Sequence, residues 1–135
     1  MKTIIEICCG SVEDVINAEK AGADRVEFNS ALYLGGLTPS LASLIYLKDR
    51  VQIPIICMVR TRGAGFTYSK EDIDVMCMDA ELLLTSGADG IAFGALNPNR
   101  SIDIETTKQL IEITHKYNKK FVFHRAIDCV DNPIE

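Results

Sequence analysis

Two hydrophobic rhythms alternate along this chain. Short apolar runs with side chains pointing to alternate faces read as strands: Thr3 to Cys9, Arg25 to Asn29, Ile53 to Arg60, Gly90 to Leu96 and Lys119 to Ile127. Between them the apolar residues recur at helical spacing. Val12, Val15, Ile16 and Ala18 form one stripe, ended by Gly22. Leu41, Leu44, Ile45 and Leu47 form the next. Ile73, Met76, Leu82 and Leu83, closed by Gly87, form a third, and Ile104, Leu110, Ile111 and Ile113 a fourth. Helix starts are signalled by Ser11 with Asp14 three residues on, by Thr38 as cap with Pro39 in the first turn, and by Ser69.

Strict strand–helix alternation at this spacing predicts parallel βαβ units. An open doubly wound sheet and a barrel both satisfy it. Doubly wound strands are buried on both faces and read as continuous apolar runs. The first two strands here alternate instead. Ile5 and Ile7 face one way and Glu6 and Cys8 the other; Val26 and Phe28 oppose Glu27 and Asn29. The apolar set must meet the helices, so the carboxylates point into a barrel interior. The expectation is therefore an α/β fold, a partial (β/α)8 TIM-type barrel with about five parallel strands and four helices. Residues 1–135 read as a single domain, the N-terminal portion of such a barrel, because a complete one takes about 250 residues. The chain ends at Asn132 to Glu135, where a sixth element is expected. Five strands leave the first and fifth with open edges, which would pair with another chain, so a homo-oligomer is expected.

Composition narrows the partners. The chain has 135 residues, 47% of them hydrophobic and 24% charged, which suits a packed domain. A net charge of -5 with no basic run repels phosphate backbones, so no nucleic-acid partner is expected. Nothing approaches the roughly 18 apolar residues of a membrane span, so no membrane partner is expected either. Five cysteines, an odd number without a CxxC pair, read as free thiols of a cytoplasmic protein.

Barrel sites lie at the C-terminal ends of strands. These ends offer Glu6 and Cys8, then Glu27 and Asn29, then Arg60 and Arg62, then His124, Arg125 and Asp128. Glu6 and Glu27 are candidate acid/base groups or metal ligands, or else carboxylates neutralised by an internal arginine such as Arg60 or Arg125. Arg60 and Arg62, ahead of Gly63 and Gly65, are candidates for clamping an anion, and Arg125 joins them. His124 is a candidate general acid/base or ligand, with Asp128 beside it. Cys8 shares the parity of Glu6 and faces inward, whereas Cys9 faces the helices. Cys57, Cys77 and Cys129 read as structural. No lysine stands at a strand's C-terminal end, so Schiff-base chemistry has no support here.

Taken in order, Ile5-Glu6-Ile7-Cys8, Ala21-Gly22-Ala23-Asp24-Arg25-Val26-Glu27, Gly35-Gly36-Leu37-Thr38-Pro39-Ser40, the Arg60 to Ser69 loop and Phe123-His124-Arg125-Ala126-Ile127-Asp128 resemble the copper homeostasis protein CutC family along essentially the whole chain. The resemblance implies a (β/α)8 barrel, a link to cytosolic copper and Cys8 as a Cu(I) ligand, with copper as the bound ion. It implies a second cysteine at position 29, where this chain has Asn29. The family's Arg-Pro-Arg-Gly-Gly-Asp-Phe loop stands here as Arg60-Thr61-Arg62-Gly63-Ala64-Gly65-Phe66, without the acidic residue. Two functions follow. One is a copper homeostasis protein that binds copper ion. The other is a barrel enzyme on a small anionic substrate, metal-assisted by a harder ion, with Glu6, Glu27 and His124 as acid/base or ligand groups.

Overall fold

The computed structural model describes residues 3–134. Strands β1 (Glu6–Cys9), β2 (Arg25–Phe28), β3 (Ile55–Met58), β4 (Gly90–Phe93) and β5 (Lys120–Phe123) alternate with helices α1 (Val12–Lys20), α2 (Leu41–Lys48), α3 (Lys70–Thr85) and α4 (Ile104–Lys116). All neighbouring strands are parallel, and their spatial order is their chain order. Right-handed crossovers that always step in one direction put every helix on one face. A doubly wound sheet reverses its order and covers both faces. The sequential order therefore makes this a partial (β/α) barrel, as the alternation in the first two strands predicts.

The two faces separate cleanly. Cys9, Val26, Phe28, Ile55, Cys57, Ile91 and Phe93 pack outward with Val15, Leu44, Leu47, Met76, Leu83 and Leu110 of the helices in one core. The inner face carries a second apolar set, Ile56, Met58, Ala92 and Val122. The outer side of the β1 edge stays partly bare at Ile5 and Ile7.

Local signals explain most boundaries. Ser11 accepts the Asp14 amide at 3.1 Å, and Ser69 with Asp72 forms a reciprocal capping box. The second helix differs from expectation. Its cap is Ser40, which accepts the Ser43 amide at 3.1 Å, and Pro39 lies outside the helix. Thr38 is instead bound to β3's exit, its Oγ1 accepting from the Arg60 amide at 2.9 Å and donating to the Arg60 carbonyl at 3.0 Å. The fifth strand ends earlier than its apolar pattern predicts. Arg125–Cys129 is a short 3₁₀ turn, and His124 caps it. Ile45, Leu82 and Ile104, counted with the apolar stripes, are exposed. Cys129, read as structural, is exposed too, and all five cysteines are free thiols. Among the described residues no helix is long and apolar enough to cross a membrane.

Candidate functional site

At the C-terminal ends of the strands, the inner face opens into a pocket of about 310 Å³. Its wall includes Cys8, Glu27, Asn29, Met58, Arg60 and, from the last turn, His124 and Arg125. Strand pairing explains the meeting. Cys8 stands beside Glu27 in the β1–β2 register, and Asn29 and Arg60 continue the inward parity of their strands.

One side of the pocket is a hydrogen-bonded group. Asn29 Nδ2 donates to Glu27 Oε1 at 3.1 Å and to Cys8 Sγ at 3.5 Å, and the Cys8 thiol lies 3.8 Å from Glu27 Oε1. Burial and the Glu27 carboxylate push the Cys8 thiol above its ordinary pKa, so it is protonated at neutral pH. Cys9, facing the helices, is pushed by burial to about 11.

Arg60 forms the other side. It is only 3% exposed, yet among the described residues it makes no ion pair. Its Nη1 donates to the carbonyls of Leu34 at 3.1 Å and Gly36 at 3.3 Å, and its Nη2 to that of Gly65 at 3.2 Å. Phe66 lies under the guanidinium at 4.8 Å and also meets the His124 ring at 5.2 Å. Carbonyl dipoles and a ring face thus hold a buried cation that has no counter-ion among the described residues.

His124 is buried, and its Nδ1 accepts the Ala126 amide at 3.2 Å. Burial, with Arg60 nearby, lowers its pKa to about 4, so the ring is neutral at pH 7. Since Nδ1 accepts, Nε2 carries the proton. Among the described residues that Nε2 is buried without a hydrogen-bond partner, as are Arg60 Nε and Asn29 Oδ1.

Other candidates lie elsewhere. Glu6 is ion-paired with Arg25, its register partner on β2, and lies outside the pocket. The counter-charge for Glu6 is therefore neither Arg60 nor Arg125. Arg62 is tied to Asp72 at 2.9 Å and to the carbonyls of Gly63 and Thr67, so it braces its own loop. Asp128 is exposed on the 3₁₀ turn, outside the pocket. Of the expected set, Cys8, Glu27, Arg60, Arg125 and His124 converge. Sequence reasoning overlooked Met58, although it shares the inward parity of Ile56 and Arg60. It also overlooked Arg25, whose pairing with Glu6 follows from the parallel register. Among the described residues no three His, Cys, Asp or Glu side chains gather as a metal site.

Fold and pocket together define a parallel (β/α)-barrel protein with a polar, thiol-bearing mouth. The family model described as CutC family matches residues 3–135, and the chain belongs to that family. A family protein CutC of Treponema denticola is 49% identical over 100% of this chain and 54% of its own length. The human copper homeostasis protein cutC homolog is 44% identical over 97% of this chain and 47% of its own length. The crystal structure of the putative copper homeostasis protein CutC from Streptococcus agalactiae superposes with a TM-score of 0.87 at 29% identity, over 96% of this chain and 62% of that one. The chain thus spans about half the length of the curated relatives it matches.

Proposed function

We propose that this chain is part of a cytosolic copper homeostasis protein and that it binds copper, as Cu(I), at the barrel mouth through Cys8. The names of its relatives support the process, and five free thiols suit a reducing compartment. One observation carries the site: the Cys8 thiol and the Met58 thioether line the same pocket. Thiolate and thioether sulfur are the soft donors that favour Cu(I). Met58 thereby offers a second sulfur where Asn29 stands in place of a cysteine. His124 is a poor further ligand. Its Nδ1 is occupied by the Ala126 amide and its Nε2 carries the proton. Binding must displace the Cys8 proton, which burial and the neighbouring Glu27 hold in place.

Titration of the purified protein against a coloured Cu(I) chelator tests the reading. Cys8→Ser is expected to weaken Cu(I) binding at least about tenfold, and Met58→Leu by a smaller factor. Replacing the exposed Cys129 by serine should change nothing. Unchanged affinity in Cys8→Ser would remove the copper site.

A further inference from the structure

The mouth pocket contains an arrangement that a Cu(I) site does not use. Arg60 and Arg125 both reach the backbone at Gly35. A Cβ built on Gly35 would lie 2.2 Å from Arg125 Nη2 and 3.1 Å from Arg60 Nη1. Two guanidinium groups thus converge on one point, and neither is ion-paired among the described residues. Arg60 is buried and Arg125 lies at the exposed rim, and like charges brought this close repel unless something negative lies between them. Gly35 makes the approach feasible, because it has φ +90 and no side chain.

The same wall holds an orphaned donor among the described residues, the Nε2–H of His124. A buried donor without an acceptor is costly, so one on a pocket wall marks a place where an acceptor belongs. Glu27 is the one carboxylate on the wall among the described residues, and its Oε1 is already engaged by Asn29 and Cys8. Against the two arginines it leaves the pocket with an excess of positive charge. A volume near 310 Å³ leaves room for a small molecule but not for a polymer.

We propose that the pocket binds a small oxyanion, a carboxylate or phosphate group, held by the Arg125 and Arg60 guanidinium groups and by the Nε2–H of His124. The planar fork of Arg125 lies at the exposed rim and takes the anion bidentately, while Arg60 and His124 meet it from the buried wall. Cys8 takes no part, so this site stands or falls separately from the copper reading.

Titration of the purified protein with inorganic phosphate and, in a second arm, with acetate, followed in ¹H–¹⁵N spectra, tests the proposal. Saturable shifts are expected at the His124 ring and at the Gly35 and Ala126 amides. Saturation by phosphate but not acetate identifies a phosphate group, and the reverse a carboxylate. Arg125→Gln should weaken binding about tenfold or more, the cost of one charge-assisted bidentate contact. Arg125→Lys, which keeps the charge and loses the fork, should fall between. Cys129→Ser, outside the pocket, should bind as the parent does. Failure of both anions to saturate, or unchanged affinity in Arg125→Gln with its spectrum otherwise intact, overturns the proposal.

Discussion

At the N-terminal ends of the strands Glu6 pairs with Arg25, and Asp89 accepts from Lys48 at 2.8 Å and from the Ile55 amide at 2.9 Å, with Lys119 at 3.7 Å. At the C-terminal ends Arg60 and Arg125 approach one another with no ion pair between them and any described carboxylate, and the His124 Nε2 has no partner among the described residues. The same sheet thus carries charge in two ways. Burial alone would raise the Asp89 carboxyl, but Lys48, the Ile55 amide and Lys119 outweigh it and hold the carboxyl below its ordinary value. That end satisfies its polar groups internally and contributes to holding the strands in register. The mouth leaves polar groups unsatisfied, which costs stability and leaves them free for a ligand. Barrels commonly divide their two ends this way.

Four measurements test this contrast. The largest effect is expected at the mouth in acid. His124 has a folded pKa of about 4 against an ordinary 6.5, so below pH 6.5 the unfolded chain takes up a proton that the folded chain refuses. Its contribution is present in full above pH 6.5 and is lost as pH falls toward 4, about 3 kcal/mol over that window. Urea unfolding at a series of pH values reads the slope, and His124→Gln should flatten it. Asp89→Ala at the opposite end comes next. It strips Lys48, Lys119 and the Ile55 amide of an acceptor, and should cost about 2 kcal/mol in urea unfolding while leaving anion binding untouched. A loss of anion binding in that variant would erase the division between the ends.

Gly94→Ala is expected to cost less, about 1 kcal/mol. Its new Cβ would lie 2.7 Å from the His124 ring and 2.9 Å from the Ala126 Cβ, so the imidazole must shift and anion affinity should fall with it. Arg125→Gln should have the smallest effect on unfolding, within about 0.5 kcal/mol, because the side chain is exposed and makes no ion pair among the described residues. A large loss of stability there would mean that Arg125 holds the fold rather than a ligand.

Much of this was legible before any coordinates. Period-two alternation in Glu6-Ile7-Cys8 and Val26-Glu27-Phe28 separates the inner from the outer face, and the structure keeps those sides. Parity worked while the backbone remained extended. It failed at Arg62, because β3 ends at Met58 and the following loop aims that arginine at Asp72. It failed again at Asp128, because the chain turns into a 3₁₀ segment after His124. Depth along the strand was also hidden. Glu6 and Glu27 share a face, but the register puts Glu6 beside Arg25 and Glu27 beside Cys8.

The alternation of strands and helices, the inward side of the first two strands and the family were readable from the chain alone, because these depend on local periodicity and on motifs contiguous along it. Only the tertiary structure decided which charges meet. It paired Glu6 with Arg25, set Arg60 against Arg125 across Gly35, and left the His124 Nε2–H without an acceptor. Such meetings depend on register and on loop paths that bring distant residues together, and no local pattern encodes either.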